Sequence, residues 1–306
     1  MSVASDCLAL LGTKGGAAIR PGSAMPTATL LRLGGRNIVV DCGLGVTRGL
    51  VDQGLALRDL SRIFITHLHA DHYLELGPLL HTAWLAGLQT PIDVHGPAGL
   101  GRYWAGWLQA MAAEIDSRER DEGRPALAEL VRIHVVDDGT VPFADGLEVR
   151  AMRNRHPPLT DSFAYSFAAG GRRICFSGNT AYAPELAELF RGTDVLVHEA
   201  MLSSSLEALA HRIGNARDGL MRHWLNGHTR AADAARLAQA SDVGMLVFHH
   251  LIPADDPAVN EHHWLAEVRP NWSGPFVLGR DGLVIGLCDG PPAASGPLVV
   301  NAGRPR

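Results

Sequence analysis

The stretch RIFITHLHADH, from Arg62 to His72, decides the fold. Its first half, Arg62 to Thr66, is an apolar, β-branched run of the kind that forms a buried strand. Three histidines and one aspartate follow directly: His67, His69, Asp71 and His72. Apolar residues at helical spacing then predict a helix from Asp71 to Gly87. The cluster is therefore expected at the carboxyl end of a strand, where the chain turns into a helix.

This cluster has the composition of a metal site. Neutral imidazole nitrogens and a carboxylate oxygen suit a borderline cation such as Zn²⁺. His67 and His69 are two residues apart in an extended segment and point to the same side, whereas the adjacent Asp71 and His72 diverge and can serve a second metal. The alternative, a surface histidine cluster without a ligand, does not require the flanking strand and helix. We predict one or two Zn²⁺ ions per chain, with Mn²⁺ as the second choice.

The composition excludes several classes of protein. The chain has 306 residues, 46% apolar and 19% charged, which excludes a mainly disordered state. No run approaches about 18 apolar residues, so no membrane span is expected. Four cysteines lie far apart without a CxxC pair and predict reduced thiols in a cytoplasmic protein: Cys7, Cys42, Cys175 and Cys288. We expect a single domain over residues 1–288 and a loosely ordered C-terminal tail over 289–306.

The order of the predicted elements indicates an α/β architecture. Two apolar runs, 27–33 and 37–42, flank Gly34-Gly35-Arg36 and predict a β-hairpin. Strands then alternate with helices, among them a long amphipathic helix predicted over 100–120. Early hairpins followed by strand–helix alternation predict two sheets packed face to face, with helices on the outer faces.

Motifs spread over nearly the whole chain carry a family resemblance. They are LLGTKGG (Leu10 to Gly16), VVDCG (Val39 to Gly43), THLHADH (Thr66 to His72), His156 with SFAY (Ser162 to Tyr165), SGNT (Ser177 to Thr180), VHEA (Val197 to Ala200), GHT (Gly227 to Thr229) and LVFHHLIP (Leu246 to Pro253). Together they resemble the metallo-β-lactamase-fold hydrolases, and most the branch with tRNase Z and the arylsulfatase- and phosphodiesterase-like enzymes. The resemblance implies a four-layer αββα sandwich with a two-metal site at one edge.

The resemblance also implies a ligand set. One metal would be held by three imidazoles: His67, His69 and His156. The other would be held by Asp71, His72 and His250. The match of LVFHH to the strand-end histidine of the family favours His250, and its neighbour His249 is the alternative.

Catalytic roles follow from the same resemblance and from metal chemistry. A bound Zn²⁺ lowers the pKa of water from 15.7 toward about 7 and so supplies hydroxide at neutral pH. Asp71 would orient that hydroxide or accept its proton, or serve as a ligand only. His228 would protonate the leaving group and Glu199 would orient His228; the alternative is that His228 only lines a loop beside a helix start.

Asn179 departs from the family pattern. The family has an aspartate at this position of the SGNT motif, and that carboxylate bridges both metals. An amide is neutral and offers one good ligand oxygen, so it bridges two cations poorly. Three hypotheses remain open: a weaker dinuclear site, a mononuclear site in which Asn179 joins the second ligand set, and a natural or engineered inactivation.

The substrate is predicted from charge. The formal net charge is −5 and Lys14 is the only lysine, which argues against a phosphate-rich partner. We therefore expect zinc-dependent hydrolysis of a small-molecule phosphodiester, sulfate ester or carboxylic ester, with no nucleic-acid or membrane partner. The alternatives are a single-zinc hydrolytic dehalogenase, an RNA 3′-processing endonuclease, and a metal-binding pseudoenzyme. By resemblance, a homodimer is expected.

Large aromatic residues offer candidates for the pocket wall. Trp104, Trp107 and Met111 fall on one face of the predicted helix over 100–120, where core or interface packing is the favoured role. Trp224 lies near His223 and His228 in sequence and is the better candidate for a pocket residue.

Overall fold

Two mixed β-sheets form the centre of the molecule in the computed structural model, which describes residues 6–213, 217–287 and 300–301. The strands of these residues are β1 (Cys7–Gly12), β2 (Ala28–Leu33), β3 (Arg36–Cys42), β4 (Arg62–Phe64), β5 (Ile92–Gly96), β6 (Val131–Val135), β7 (Gly139–Val141), β8 (Glu148–Arg153), β9 (Phe163–Ala169), β10 (Arg172–Phe176), β11 (Val195–Met201), β12 (Leu246–Ile252), β13 (Phe276–Leu278), β14 (Leu283–Gly286) and β15 (Val300–Asn301). The helices are α1 (Val46–Asp52), α2 (Ala70–Tyr73), α3 (Leu76–Leu85), α4 (Leu100–Ala110), α5 (Ala112–Glu122), α6 (Ala187–Phe190), α7 (Leu206–Ile213), α8 (Arg217–Gly227), α9 (Ala231–Ala240) and α10 (Glu261–Val268).

The sheets and helices stack in four layers. The first sheet has the order β15-β14-β1-β2-β3-β4-β5-β6, and the second the order β13-β12-β11-β10-β9-β8-β7. Apolar side chains such as Phe64, Phe167 and Phe176 fill the space between the sheets. Further apolar clusters join α1 and α3–α5 to the outer face of the first sheet, and α6, α9 and α10 to the outer face of the second. The predicted αββα sandwich is confirmed.

Burial on both faces explains why the strands read as continuous apolar runs. In β1, Leu8 and Leu10 point into the space between the sheets, whereas Ala9 and Leu11 point toward the outer helices. A strand covered on both faces needs no polar side, so its hydrophobicity does not alternate.

The parallel strands place the candidate site. β4 runs parallel to β3 and β5, and β10, β11 and β12 are parallel to one another. The segment after β4 meets the second sheet through a hydrogen bond from Phe163 N to Thr66 O of 3.0 Å. The carboxyl ends of β4 and of β10–β12 therefore lie together at one edge of the sandwich, which is a usual position for a site in a layered α/β fold.

The hairpin prediction is confirmed, because β2 and β3 pair antiparallel as far as Leu33 opposite Arg36. Gly34 and Gly35 form the turn with φ of 56° and 75°. Both values lie in the left-handed region, which glycine adopts without the steric cost of a Cβ atom.

The helix predicted from Asp71 to Gly87 is wrong in its continuity, since it is divided into α2 and α3. The chain turns at Glu75, whose N–H donates to Cys42 O at 3.0 Å. The Glu75 carboxylate accepts hydrogen bonds from Gly45 N and Thr47 N at the start of α1. These non-local bonds compete with the local periodicity on which the prediction rested.

The helix predicted over 100–120 is also divided, at Met111, into α4 and α5. Trp104 is buried against the first sheet, and Trp107 and Met111 pack on the same cluster. This aromatic face is part of the core, which agrees with the packing role favoured for it. Cys7, Cys42 and Cys175 are free and buried, while Cys288 lies outside the described residues.

The helices of the described residues include none that is long and apolar enough to cross a membrane. Of the tail over 289–306, only Val300–Asn301 is described, and these residues form a strand that pairs with β14. The single-domain boundary at residue 288 stays a prediction.

Candidate metal centre

The first donor group consists of three imidazoles from two loops. His67 and His69 follow β4, and His156 lies in the loop between β8 and β9. His156 Nε2 is 3.0 Å from His69 Nδ1, and the His67 and His69 ring centroids are 4.9 Å apart. The outer nitrogen of each buried ring is held: Thr66 Oγ1 lies 3.0 Å from His67 Nδ1, and His156 Nδ1 donates to Gly227 O at 2.7 Å.

The second donor group combines a carboxylate with two imidazoles. Asp71 and His72 lie in α2, and His250 lies near the end of β12 with a φ of 45°. Asp71 Oδ2 is 3.1 Å from His250 Nε2 and 3.5 Å from His72 Nε2. The predicted choice of His250 agrees with this placement, since His249 points elsewhere, toward the Phe176 ring at 6.4 Å.

Both groups fit a metal ion. Ligand atoms about 2.0–2.1 Å from a tetrahedral Zn²⁺ lie about 3.3 Å from one another, close to the separations found here. In each group one atom per residue lies within 4.8 Å of the others. His67 Nε2 and His72 Nε2 are buried without a hydrogen-bond partner in the described structure. Buried polar atoms are normally satisfied, so these two nitrogens point to a ligand.

Burial and neighbouring charges shift the histidine pKa values differently in the two donor groups. Burial lowers the pKa of His67 well below its usual range, of His69 to about 4 and of His156 to about 2. These rings are neutral and ready to ligate. Burial also disfavours the charged ring of His72, but the carboxylates of Asp41 and Asp71 outweigh it and raise the pKa of His72 to about 10.

Asp41 is a functional residue that the sequence analysis missed. Its Oδ2 accepts from His72 Nδ1 at 2.8 Å, and its Oδ1 accepts from Thr66 N at 2.8 Å. Asp41 itself has a φ of 63° and is buried. A carboxylate behind a ligating imidazole fixes the ring and raises its basicity. The signal was available in the VVDCG motif, which we used only as part of the family resemblance.

Asn179 lies within the second group. Its Nδ2 is 3.0 Å from His250 Nε2, and its Oδ1 is buried without a partner. Rotating the amide by a half turn exchanges oxygen and nitrogen, so Oδ1 is in reach of the same position. Asn179 therefore brings one neutral donor oxygen to the second group and no charge.

His228 and Glu199 form a buried pair beside both groups. Glu199 Oε2 lies 2.8 Å from His228 Nδ1, and the His228 ring stacks on His250 at 5.3 Å between centroids. Burial lowers the pKa of His228 to about 4 and raises that of Glu199 to about 7. Thr180 N donates to Glu199 Oε1 at 2.7 Å and fixes the carboxyl group.

A cavity of about 430 Å³ opens over these residues. Trp224 of α8 lines it, as predicted, together with His69, Asp71 and His228. Further polar residues that the sequence analysis did not assign a role also line it, among them His223 and Lys14. The His223 ring lies 5.6 Å from His228 and 5.8 Å from His69, which only the packing of α8 reveals.

Two groups of metal-donor side chains beside the buried His228–Glu199 pair, at one edge of an αββα sandwich, are the arrangement of a metal-dependent hydrolase. The sequence profile of the beta-lactamase superfamily domain matches residues 36–251. The chain belongs to this superfamily.

The relatives of the chain are consistent with that assignment. Ribonuclease Z of Mycobacterium marinum is 31% identical over 277 residues, which cover 90% of this chain and 96% of the relative. Ribonuclease Z of Mycobacterium bovis is 28% identical and covers 90% and 95%. Among solved structures, human tRNase Z, short form, has a TM-score of 0.65 with 22% identity, covering 92% of this chain and 99% of that one.

These relatives correct one prediction. We expected a small-molecule substrate and no nucleic acid, but the curated relatives that match most of the chain are named for action on RNA. The prediction was wrong because a net charge of −5 averages over the whole surface. Binding of a phosphate depends instead on the few charges inside one cavity.

Proposed function

We propose that the chain is a zinc-dependent ribonuclease that cleaves a phosphodiester bond during RNA 3′-end processing. The observation that carries the proposal is the buried His228–Glu199 pair, 2.8 Å apart and beside both donor groups. The 31% identity to ribonuclease Z of Mycobacterium marinum across 90% of the chain supports the RNA substrate. The cytoplasmic setting and the homodimer stay predictions.

The donor groups suggest two ions with unequal affinity. His67, His69 and His156 would hold one ion, and Asp71, His72 and His250 would hold the other with Asn179 as an added neutral donor. Bound divalent ions supply Lewis acidity toward a phosphoryl oxygen and toward water. Because Asn179 adds no negative charge, the second ion is expected to bind more weakly than it would beside an aspartate at this position.

Asp71, His228 and Glu199 would act on the attacking water and on the leaving group. Asp71, whose Oδ2 also accepts from Gly16 N at 2.7 Å, would orient the attacking water. The water oxygen would form a bond to phosphorus and give up one proton to the Asp71 carboxylate while the bond to the leaving oxygen breaks. With the proton of the pair on Glu199, His228 would carry its own proton on Nε2; it would pass that proton to the leaving oxygen while its Nδ1 takes up the proton of Glu199. Glu199, with a pKa raised to about 7, would keep a proton within the pair near neutral pH.

Cleavage of RNA tests the proposal. The purified, zinc-loaded chain is incubated with a precursor tRNA that carries a 3′ extension, and the fragments are sized on a denaturing gel. We expect one cleavage near the end of the folded stem, abolished by a chelator and restored by Zn²⁺. A zinc-loaded chain that leaves precursor tRNA and other structured RNAs intact would contradict the proposed function.

A further inference from the structure

Lys14 is the only lysine of the chain and it is almost fully buried, with 4% of its surface exposed. It lies in the wall of the cavity over the second donor group, together with Asp71, Asn179 and His250. Burying an ammonium group is costly unless its charge is matched. The position of this one lysine therefore needs a reason.

The partners of the ammonium are incomplete. Lys14 Nζ donates to Gly15 O at 3.1 Å and to Gly16 O at 3.0 Å. An ammonium carries three N–H donors, so one is left over. No carboxylate of the described residues forms an ion pair with it. The nitrogen thus has a spare donor and no carboxylate at ion-pair distance, although the charges of Asp255 and Asp71 act on it from farther away.

The loop that carries Lys14 is fixed from three sides. Lys14 N donates to Met25 O at 2.9 Å, and Gly15 N donates to Leu251 O at 3.1 Å. Gly16 N donates to Asp71 Oδ2 at 2.7 Å. At Gly15, an added Cβ atom would lie 2.9 Å from the His250 ring, so the backbone packs directly on this imidazole. The ammonium is therefore held at a set place relative to the second donor group.

The nearby arginines are already paired with carboxylates: Arg20 lines the cavity, and Arg212 lies beside Asp255, which also lines it. Arg20 NH1 lies 2.7 Å from Asp255 Oδ2, and Arg212 NH1 lies 2.5 Å from Asp256 Oδ2. Both aspartates are largely buried, which strengthens the pairing. An incoming anion would have to break these pairs to use either arginine. Lys14 has only carbonyl oxygens as direct partners, so an incoming anion need not break an ion pair to reach it.

We propose that Lys14 binds a non-bridging phosphoryl oxygen of the substrate and positions the phosphodiester over the second donor group. This inference rests on the proposed function. The ammonium is a compact point charge that suits a phosphate oxygen.

Binding of inorganic phosphate to the zinc-loaded full chain tests the inference without RNA cleavage. Isothermal titration compares the wild type with Lys14→Met, which keeps the apolar stem, and with Lys14→Gln, which can still donate to the glycine carbonyls. We expect both to weaken phosphate binding by about 10- to 100-fold, as for loss of a charge-assisted hydrogen bond. Lys14→Arg should retain binding to within about fivefold.

Arg20→Met is the matched control, since Arg20 lines the same cavity but is paired with Asp255. It should change the phosphate Kd by less than about threefold. Zinc content and the thermal unfolding midpoint identify any variant that is misfolded. If Lys14→Met is misfolded, Lys14→Gln serves as the neutral variant. A neutral Lys14 variant that is folded, zinc-loaded and binds phosphate as tightly as the wild type would overturn the inference.

RNA cleavage separates this inference from the proposed function. If the wild type cleaves RNA and the neutral Lys14 variants do so with unchanged KM and kcat, Lys14 has no role and the proposed function stands. If phosphate binding depends on Lys14 and no RNA is cleaved, the phosphate site stands and the RNA substrate is wrong. An increase in KM with a smaller decrease in kcat supports a role of Lys14 in binding the phosphate of the ground state.

Discussion

The two donor groups of the candidate site are built on different principles. The first is made of three neutral imidazoles whose outer partners are a hydroxyl and a backbone carbonyl. The second contains the carboxylate of Asp71, has Asp41 behind His72, and includes the neutral amide of Asn179. The first group depends on desolvated rings, and the second depends on charge. The second is therefore where a single residue changes metal affinity most.

The largest effect is expected from Asp71→Ala. This change removes the only carboxylate donor of the second group and leaves the imidazoles of the first intact. We expect one zinc ion per chain to be lost, and RNA cleavage to fall by about 10³-fold or more, as when an essential ligand and a positioning group are removed together. Elemental analysis and cleavage rates measure both.

The matched control for Asp71→Ala is Asp255→Ala, which removes a carboxylate at the mouth of the same cavity. It should keep its full metal content. Loss of both ions from the Asp71 variant would show that the two donor groups do not bind metal independently.

His228→Ala is expected to have the next largest effect. His228 lies beside both groups, but Glu199 engages its Nδ1, and we assign it to proton transfer rather than to metal binding. We expect kcat to fall by about 10²- to 10⁴-fold with zinc content unchanged. A proportional loss of zinc would make His228 a ligand, since one of its ring nitrogens lies within 4.8 Å of a Glu199 carboxylate oxygen and of a His250 nitrogen.

The sequence predicted the donors better than what surrounds them. The spacing in HLHADH and the strand before it were enough for His67, His69, Asp71 and His72. His223 could not be found in this way, because α8 brings it to the site through tertiary packing. Glu75 likewise ended a helix through bonds to a distant turn. Lys14 was counted as evidence against an anionic partner, since a count of lysines does not show where the one lysine lies.

Asn179→Asp adds a second carboxylate to the second donor group, beside that of Asp71. A carboxylate adjacent to His250 attracts a divalent cation more strongly than an amide does. We expect the second zinc ion to bind about 10- to 100-fold more tightly, with little change at the first. Competition with a chromophoric chelator measures both constants. If neither constant changes, the amide is not what limits the affinity of the second group.

A change of one pH unit is expected to have the smallest effect, about tenfold. A metal binds only the neutral ring. In the metal-free protein the pKa of His72 is raised to about 10, so the second ion must displace a proton, and its affinity should fall as the pH falls from about 8 to about 6. In the first group, His69 and His156 have pKa values lowered to about 4 and about 2, so no proton competes in this range. The first constant should therefore be nearly flat with pH. Equal slopes for the two ions, measured by chelator competition at several pH values, would mean that Asp41 and Asp71 do not hold a proton on His72.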